Sequence, residues 1–218
     1  MMLYTPMNDT LKSTLHNKRS GTTDKGMERA YTIVEAARQI IASEGYAGLS
    51  MRRVAADVGV SLSNVQHYFS SKDMLVEAVL LTTMSMFQEK IDHITSSMAH
   101  APRIEQFEST IDMFLRELSD PVTVALFFEI WAMATRNAFA SNLMDKMLAR
   151  ERKAIFKLIQ GLCPGVTDEQ THLRAALIVA QIQGLLLFRL FNPEKKAELA
   201  GLEQLAKEAV LRLAMQPD

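Results

Sequence analysis

The sequence predicts an all-α protein, and three observations carry that expectation. Apolar residues recur at three- and four-residue spacing along most of the chain. Only 9 Gly and 6 Pro interrupt its 218 residues. No β-branched stretch alternates with period two, so no sheet is expected. With 48% apolar and 22% charged residues the chain can bury a full core and is neither disordered nor collagen-like. A single cysteine, Cys163, rules out an intramolecular disulfide and a cysteine-rich zinc site, and suits a reducing compartment.

The elements follow in order. Residues 1–26 mix Ser, Thr, Asn and Lys and read as a flexible N-terminal arm carrying Lys12, Lys18, Arg19 and Lys25. A scaffold helix spans about 27–44: Ala30, Ile33, Val34, Ala37, Ile40 and Ile41 form one stripe, and Gly45 stops it as a left-handed cap would. Two short helices are expected near 51–58 and 62–69, then a long one from Lys72 to about Met98. Pro102, Pro121, Pro164 and Pro193 punctuate the remainder into helices near 103–118, 122–136, 138–161, 168–191 and 194–215. Three divisions result: the arm 1–26, a three-helix element 27–72, and a helical region 73–218.

The segment from Ser50 to Phe69 is the most informative. Ser50 is placed to cap a two-turn helix, Gly59 can take the positive φ that ends it, and Ser61 can cap the next helix after a very short turn. This is the pattern of a helix-turn-helix. Val54, Ala55, Val58, Val60, Val65 and Phe69 point inward and are small enough for two helices to cross closely. The outward set on the second helix is Leu62, Ser63, Asn64, Gln66, His67 and Tyr68, a hydrogen-bonding face free of acid.

A carboxylate there would be repelled by phosphate, whereas Asn64 and Gln66 can pair with the N6/N7 edge of adenine and Leu62 can touch a thymine methyl. His67 and Tyr68 are expected to donate to phosphate, with Ser50, Ser61 and Lys72 at helix N-termini adding groups that favour anions. Arg52 completes the candidate DNA-binding set. The formal net charge is −1, yet residues 1–72 carry 9 Lys/Arg against 6 Asp/Glu and the rest 15 against 19. That asymmetry has the sign expected if the first third meets a polyanion.

At these residues the chain resembles the TetR family of bacterial transcriptional regulators. The resemblance rests on Ala36, Ala37, Gly45, Tyr46, Ser50, Val54, Ala55, Gly59, Val60, Ser61, Tyr68, Phe69, Ser71, Lys72 and Leu75 in that order, over about residues 27–80. It departs from the family where many members place a basic residue at the position of Leu62, Gly at Ser63 and Tyr at Gln66. Those departures point to Gln66 reading a base or bonding a backbone oxygen differently. The resemblance implies a DNA-binding domain joined by a long helix to a C-terminal ligand-binding and dimerisation domain. It further implies a homodimer with recognition helices in successive major grooves of double-stranded DNA, and a small-molecule effector whose binding lowers operator affinity.

The C-terminal region is rich in Met and Phe, residues that serve either a core or a partly apolar pocket. Met113, Phe127, Phe128, Trp131, Glu129 and Gln181 are the effector candidates. Glu129 sits inside the apolar run 122–133, so its carboxylate should pair with Arg136 or Arg189, face solvent, or meet a ligand. The last two long helices carry apolar surfaces, Leu177, Ile178, Gln181, Ile182, Leu185 and Phe188 on one and Leu199, Leu202, Leu205, Ala206, Ala209, Val210 and Leu213 on the other. Two copies would form a four-helix dimer interface.

No nucleophile elbow, phosphate-binding glycine loop or carboxylate pair appears, and the five histidines show no metal-ligand spacing, so no catalytic residue, metal or cofactor is expected. No run of about 18 uninterrupted apolar residues is present, and the expectation is a cytoplasmic protein without a membrane partner. The reading is a ligand-responsive repressor binding a pseudo-palindromic operator. The alternative is a helical small-molecule-binding protein whose N-terminal element no longer reads DNA.

Overall fold

The computed structural model describes residues 5–16, 23–190 and 197–217. Among them are ten α-helices and no strand: α1 Thr5–Thr14, α2 Asp24–Gly48, α3 Met51–Val58, α4 Leu62–Tyr68, α5 Lys72–Ser97, α6 Arg103–Glu117, α7 Pro121–Ala134, α8 Ala138–Ile159, α9 Asp168–Leu190 and α10 Leu202–Met215. Among the described residues one 3-10 turn, Ala197–Leu199, precedes α10. The chain forms two compact units, 1–90 with 125–144 and 91–124 with 145–218. The first unit runs past Lys72 to Lys90 and also takes in residues 125–144.

In the first unit, α2 is the scaffold. Ala30, Ile33, Val34, Ala37, Ile40 and Ile41 are buried, the stripe that its period requires. It starts earlier than the sequence expectation, because the Thr23 hydroxyl accepts the Gly26 N–H at 3.1 Å and caps Asp24 onward. Gly45 has φ 72° and ψ 176°, which breaks the helical path before the last residues of α2. Only a residue without a side chain adopts that conformation cheaply.

The arm reading of residues 1–26 is corrected over Thr5–Thr14. That segment is helix α1, which packs on α2. Its polar composition hid a narrow apolar edge: Leu11 and Leu15 are 1% and 3% exposed. The Ser85 hydroxyl of α5 donates to Thr10 Oγ1 at 2.8 Å, and the His16 N–H donates to the Tyr68 carbonyl at 2.8 Å. Lys18 and Arg19 lie outside the described residues.

In the second unit, α10 packs on α6 and α9. The Lys207 ammonium meets the Asp112 carboxylate at 2.7 Å, and the Arg103 guanidinium caps the C-terminal end of α8 by donating to the carbonyls of Lys157, Leu158 and Gln160. By length and composition the stretch 168–188 of α9 could cross a membrane, although half of it is buried in the molecule. Ile178, Ile182, Leu185 and Leu186 are inside, whereas Leu173, Leu177, Leu187 and Phe188 are exposed. The interface residues expected on α9 and α10 therefore divide: Ile178, Ile182, Leu185 and Val210 belong to the core, and Leu177, Phe188 and Leu205 remain outside.

If α1 is integral to the head, Leu11→Ala should cost about 2–4 kcal/mol in urea unfolding, the range for emptying a buried leucine site. A flexible arm would show almost no change.

Candidate nucleic-acid interface

The helix-turn-helix is built from its caps. Ser50 Oγ accepts the Arg53 N–H at 3.1 Å, which starts α3, and Ser61 Oγ accepts the Asn64 N–H at 3.2 Å, which starts α4. Gly59, at φ 72° and ψ 35°, closes α3 in the left-handed region, and the Val60 N–H reaches back to the Ala55 carbonyl at 2.9 Å. Val54, Ala55, Val65 and Phe69 are buried between α3, α4 and the scaffold helix. Burial of these side chains holds helices of eight and seven residues that could not stand alone.

The outward face is largely as expected. Arg52, Ser61, Ser63, Gln66 and His67 are exposed, Leu62 is half-buried at the start of α4, and no acid occurs on α4. Asn64 is half-buried, with its Oδ1 enclosed and without a hydrogen-bond partner. Tyr68 departs from the expectation. It is 7% exposed and meets His67 edge-on with ring centroids 5.3 Å apart; with Val65 it forms the buried side of α4. A polar cleft of about 670 Å³ opens between α4 and the first turns of α2, lined by Asn64, His67 and Tyr68 on one side and Thr23, Lys25, Gly26, Glu28, Arg29 and Thr32 on the other.

Lys72 does more than offer a charge at a helix N-terminus. Its ammonium donates to the Tyr46 carbonyl at 2.6 Å and lies 3.6 Å from the centroid of the Tyr46 ring. The Tyr46 hydroxyl donates to Asp73 Oδ1 at 3.2 Å. Burial pushes the Lys72 pKa down from the ordinary lysine range, with the Asp73 carboxylate opposing, and burial with the nearby Asp73 charge pushes the Tyr46 phenol up. Ser71 Oγ accepts the Met74 N–H at 3.1 Å and caps α5. Arg53 turns away from the reading face, its guanidinium meeting Glu44 at 2.9 Å and Asp57 at 3.3 Å.

Residues 33–79, which span this element, match the sequence pattern of bacterial regulatory proteins of the tetR family, and residues 103–214 match the C-terminal region of BetI-type transcriptional repressors. The chain belongs to the TetR family. It is a helix-turn-helix transcriptional regulator with a BetI-type C-terminal domain, and its family is not one of enzymes. Relatives include the transcriptional regulator BetI of Rhizobium meliloti, 28% identical over 165 residues that cover 74% of this chain and 79% of that protein. The nicotine-responsive transcriptional repressor HdnoR of Paenarthrobacter nicotinovorans is 25% identical over 134 residues, covering 61% and 68%. Among solved structures, a regulator from Saccharomonospora viridis in complex with choline superposes with a TM-score of 0.65 at 18% identity, covering 84% of this chain and 95% of that one. That superposition establishes a shared fold.

The effector candidates of this TetR-family regulator fall in both units. Phe127, Phe128, Glu129 and Trp131 belong to the first, Met113 and Gln181 to the second. Phe128 and Trp131 are half-buried and meet edge-to-face at 5.2 Å, while Phe127 is buried 6.3 Å from the Phe87 ring. Met113 is buried. Gln181 is half-buried, with Oε1 enclosed and unpartnered. Glu129 has found a partner that the sequence did not suggest. Its Oε2 accepts the Tyr46 N–H at 3.0 Å, and its carboxylate occupies the space where a side chain on Gly45 would stand. Arg136 is exposed and makes no ion pair with it among the described residues, and the Arg189 side chain lies outside them.

Two features escaped the sequence reading. Tyr46 joins Glu129, Lys72 and Asp73, which a residue 83 positions from its carboxylate partner could not advertise. Glu151 of α8 accepts the Gln183 amide at 2.7 Å, and burial pushes its pKa up to about 7 against the opposing effects of Gln183 and Arg152. Its place in the charged run Arg150-Glu151-Arg152-Lys153 made it look like a solvated residue.

Glu129→Ala should destabilise the protein by about 1–3 kcal/mol, the cost of orphaning a half-buried amide, and Glu129→Gln by less, since an amide oxygen still accepts. Urea unfolding checks both. Because folded Glu151 holds its proton to higher pH than the unfolded chain, stability should fall as pH rises from about 4.5 to 7. Glu151→Gln should remove that slope and gain roughly 3 kcal/mol at pH 8 relative to the native chain. Unfolding midpoints at pH 5 and pH 8 measure the difference.

Proposed function

We propose that this regulator is a repressor that binds a pseudo-palindromic operator in double-stranded DNA as a homodimer and is released by a small-molecule effector. The observation that carries the reading is the acid-free outer face of α4, held rigid by two serine caps and a buried α3–α4 crossing. On that face Gln66 is the principal base reader, with Asn64, Ser63 and Leu62 beside it. Ser50, Arg52, Ser61, His67 and Lys72 position the helix on phosphates. Tyr68 acts from within, as a packed support for His67. An operator-binding role places the protein in the cytoplasm.

The exposed Leu173, Leu177, Leu187 and Phe188 of α9 and Leu205 of α10 support dimerisation through the last two long helices. Added side-chain volume at Gly184 would meet nothing, so a second copy could approach closely there. For the effector, the Phe128–Trp131 pair offers aromatic surface suited to a partly apolar ligand. One relative responds to nicotine and one structural neighbour holds choline, so organic nitrogen cations are the first class to test, aromatic faces being attractive to such charges.

Selection of a duplex from a random library, followed by titration at several salt concentrations, tests the reading. Gln66→Ala should cost about 1–3 kcal/mol at particular base pairs. Lys72→Ala should weaken all sequences alike and make the salt slope shallower by about 1. Equal affinity of the native protein for selected and scrambled duplexes would instead favour a small-molecule-binding protein that no longer reads DNA.

A further inference from the structure

The cleft between α2 and α4 is not accounted for by the recognition face. One wall is the first turns of α2, where Lys25, Arg29 and Thr32 stand at i, i+4 and i+7 and therefore share one face. The other wall is Asn64, His67 and Tyr68 of the recognition helix. Lys25 and Arg29 are exposed, and neither forms an ion pair among the described residues, in contrast to Arg38 and Arg53, which are committed to carboxylates. Glu28 is the single acid on the lining. Its carbonyl accepts the Thr32 hydroxyl at 2.8 Å. The enclosed amide oxygen of Asn64 faces no donor, and rotation of that amide by 180° would present its NH2 instead.

A core or structural role explains little of this. Two cations close in space cost repulsion unless an anion joins them, and both side chains are too exposed to serve packing. The wall shared with α4 decides which anion. Whatever places Gln66 and Asn64 against base edges also brings the cleft to the sugar-phosphate backbone bordering that groove.

We propose that Lys25 and Arg29 grip a backbone phosphate of the operator flanking the stretch read by α4, making the start of α2 a second, sequence-independent contact. The proposal rests on the DNA-binding reading above. Thr23 and Gly26 also line the cleft, and Glu28 weakens the grip by its charge. Each phosphate neutralised contributes about 0.9 to the slope of log affinity against log salt.

The test is a salt titration of the full-length protein on its selected duplex and on a scrambled one, by fluorescence anisotropy. Lys25→Ala with Arg29→Ala should make the slope shallower by about 1 for the one phosphate they share and lower affinity roughly tenfold at 0.1 M salt on both duplexes, leaving their ratio unchanged. Glu28→Gln should tighten both. The substituted positions are exposed, and an unchanged urea midpoint shows that folding is intact. A native protein that binds no duplex overturns the DNA reading itself. A native protein that binds with its full slope, while the double variant keeps that slope, overturns only the assignment to α2. A change confined to the selected duplex also overturns it, since a phosphate contact carries no sequence.

Discussion

The reading face depends on the burial of three small or mid-sized side chains, Val54, Ala55 and Val65, together with the large Phe69 ring, where α3 packs on α2 and α4. Helices of eight and seven residues lose more conformational entropy than their few internal hydrogen bonds recover, so they exist only where tertiary contact supports them. Small residues at the crossing let the axes approach, and the serine caps at Ser50 and Ser61 satisfy donors that would otherwise be orphaned. The rigidity that results is what allows polar side chains on α4 to act as a template. A mobile helix would lose that orientation on every encounter with DNA.

Around this crossing the structure adds restraints from distant parts of the sequence. The His16 N–H holds the carbonyl at the end of α4, the Lys72 ammonium holds the Tyr46 carbonyl, and Glu129 holds the Tyr46 N–H. All three bonds end on backbone atoms, so they fix the path of the chain and not the chemistry of the reading face. This division explains how the outer residues Leu62, Ser63 and Gln66 can depart from the common pattern of their family.

Much of this was legible in the sequence because the signals are local. The caps, Gly59, the α2 stripe and the short spacing between α3 and α4 each involve residues within a few positions of one another. Helix α1 was not legible, since two leucines in a polar segment give no periodic stripe and become apolar contacts only once α2 is present. Tyr68 was misplaced because it sits where a one-residue error in phase separates outside from inside on a seven-residue helix. Glu129 and Glu151 resisted for a common reason: sequence shows that a buried carboxylate needs a donor, but a backbone N–H and a glutamine 32 positions away leave no mark in the primary structure. Four of the candidate effector residues, Met113, Phe127, Phe128 and Trp131, are apolar in a helical chain, a pattern that core packing produces equally well.

Gly45 gives the last of these contacts an evolutionary side. The carboxylate of Glu129 lies 3.1 Å from where a β-carbon at position 45 would begin, so the missing side chain of one residue is the receptacle for another. The two sites cannot drift separately. An alanine at 45 would meet both an unfavourable backbone and an occupied space, whereas a shorter residue at 129 would leave the space empty and the amide unsatisfied. Substitutions at the glycine and the glutamate should therefore be non-additive, although the two positions lie 84 residues apart in the chain.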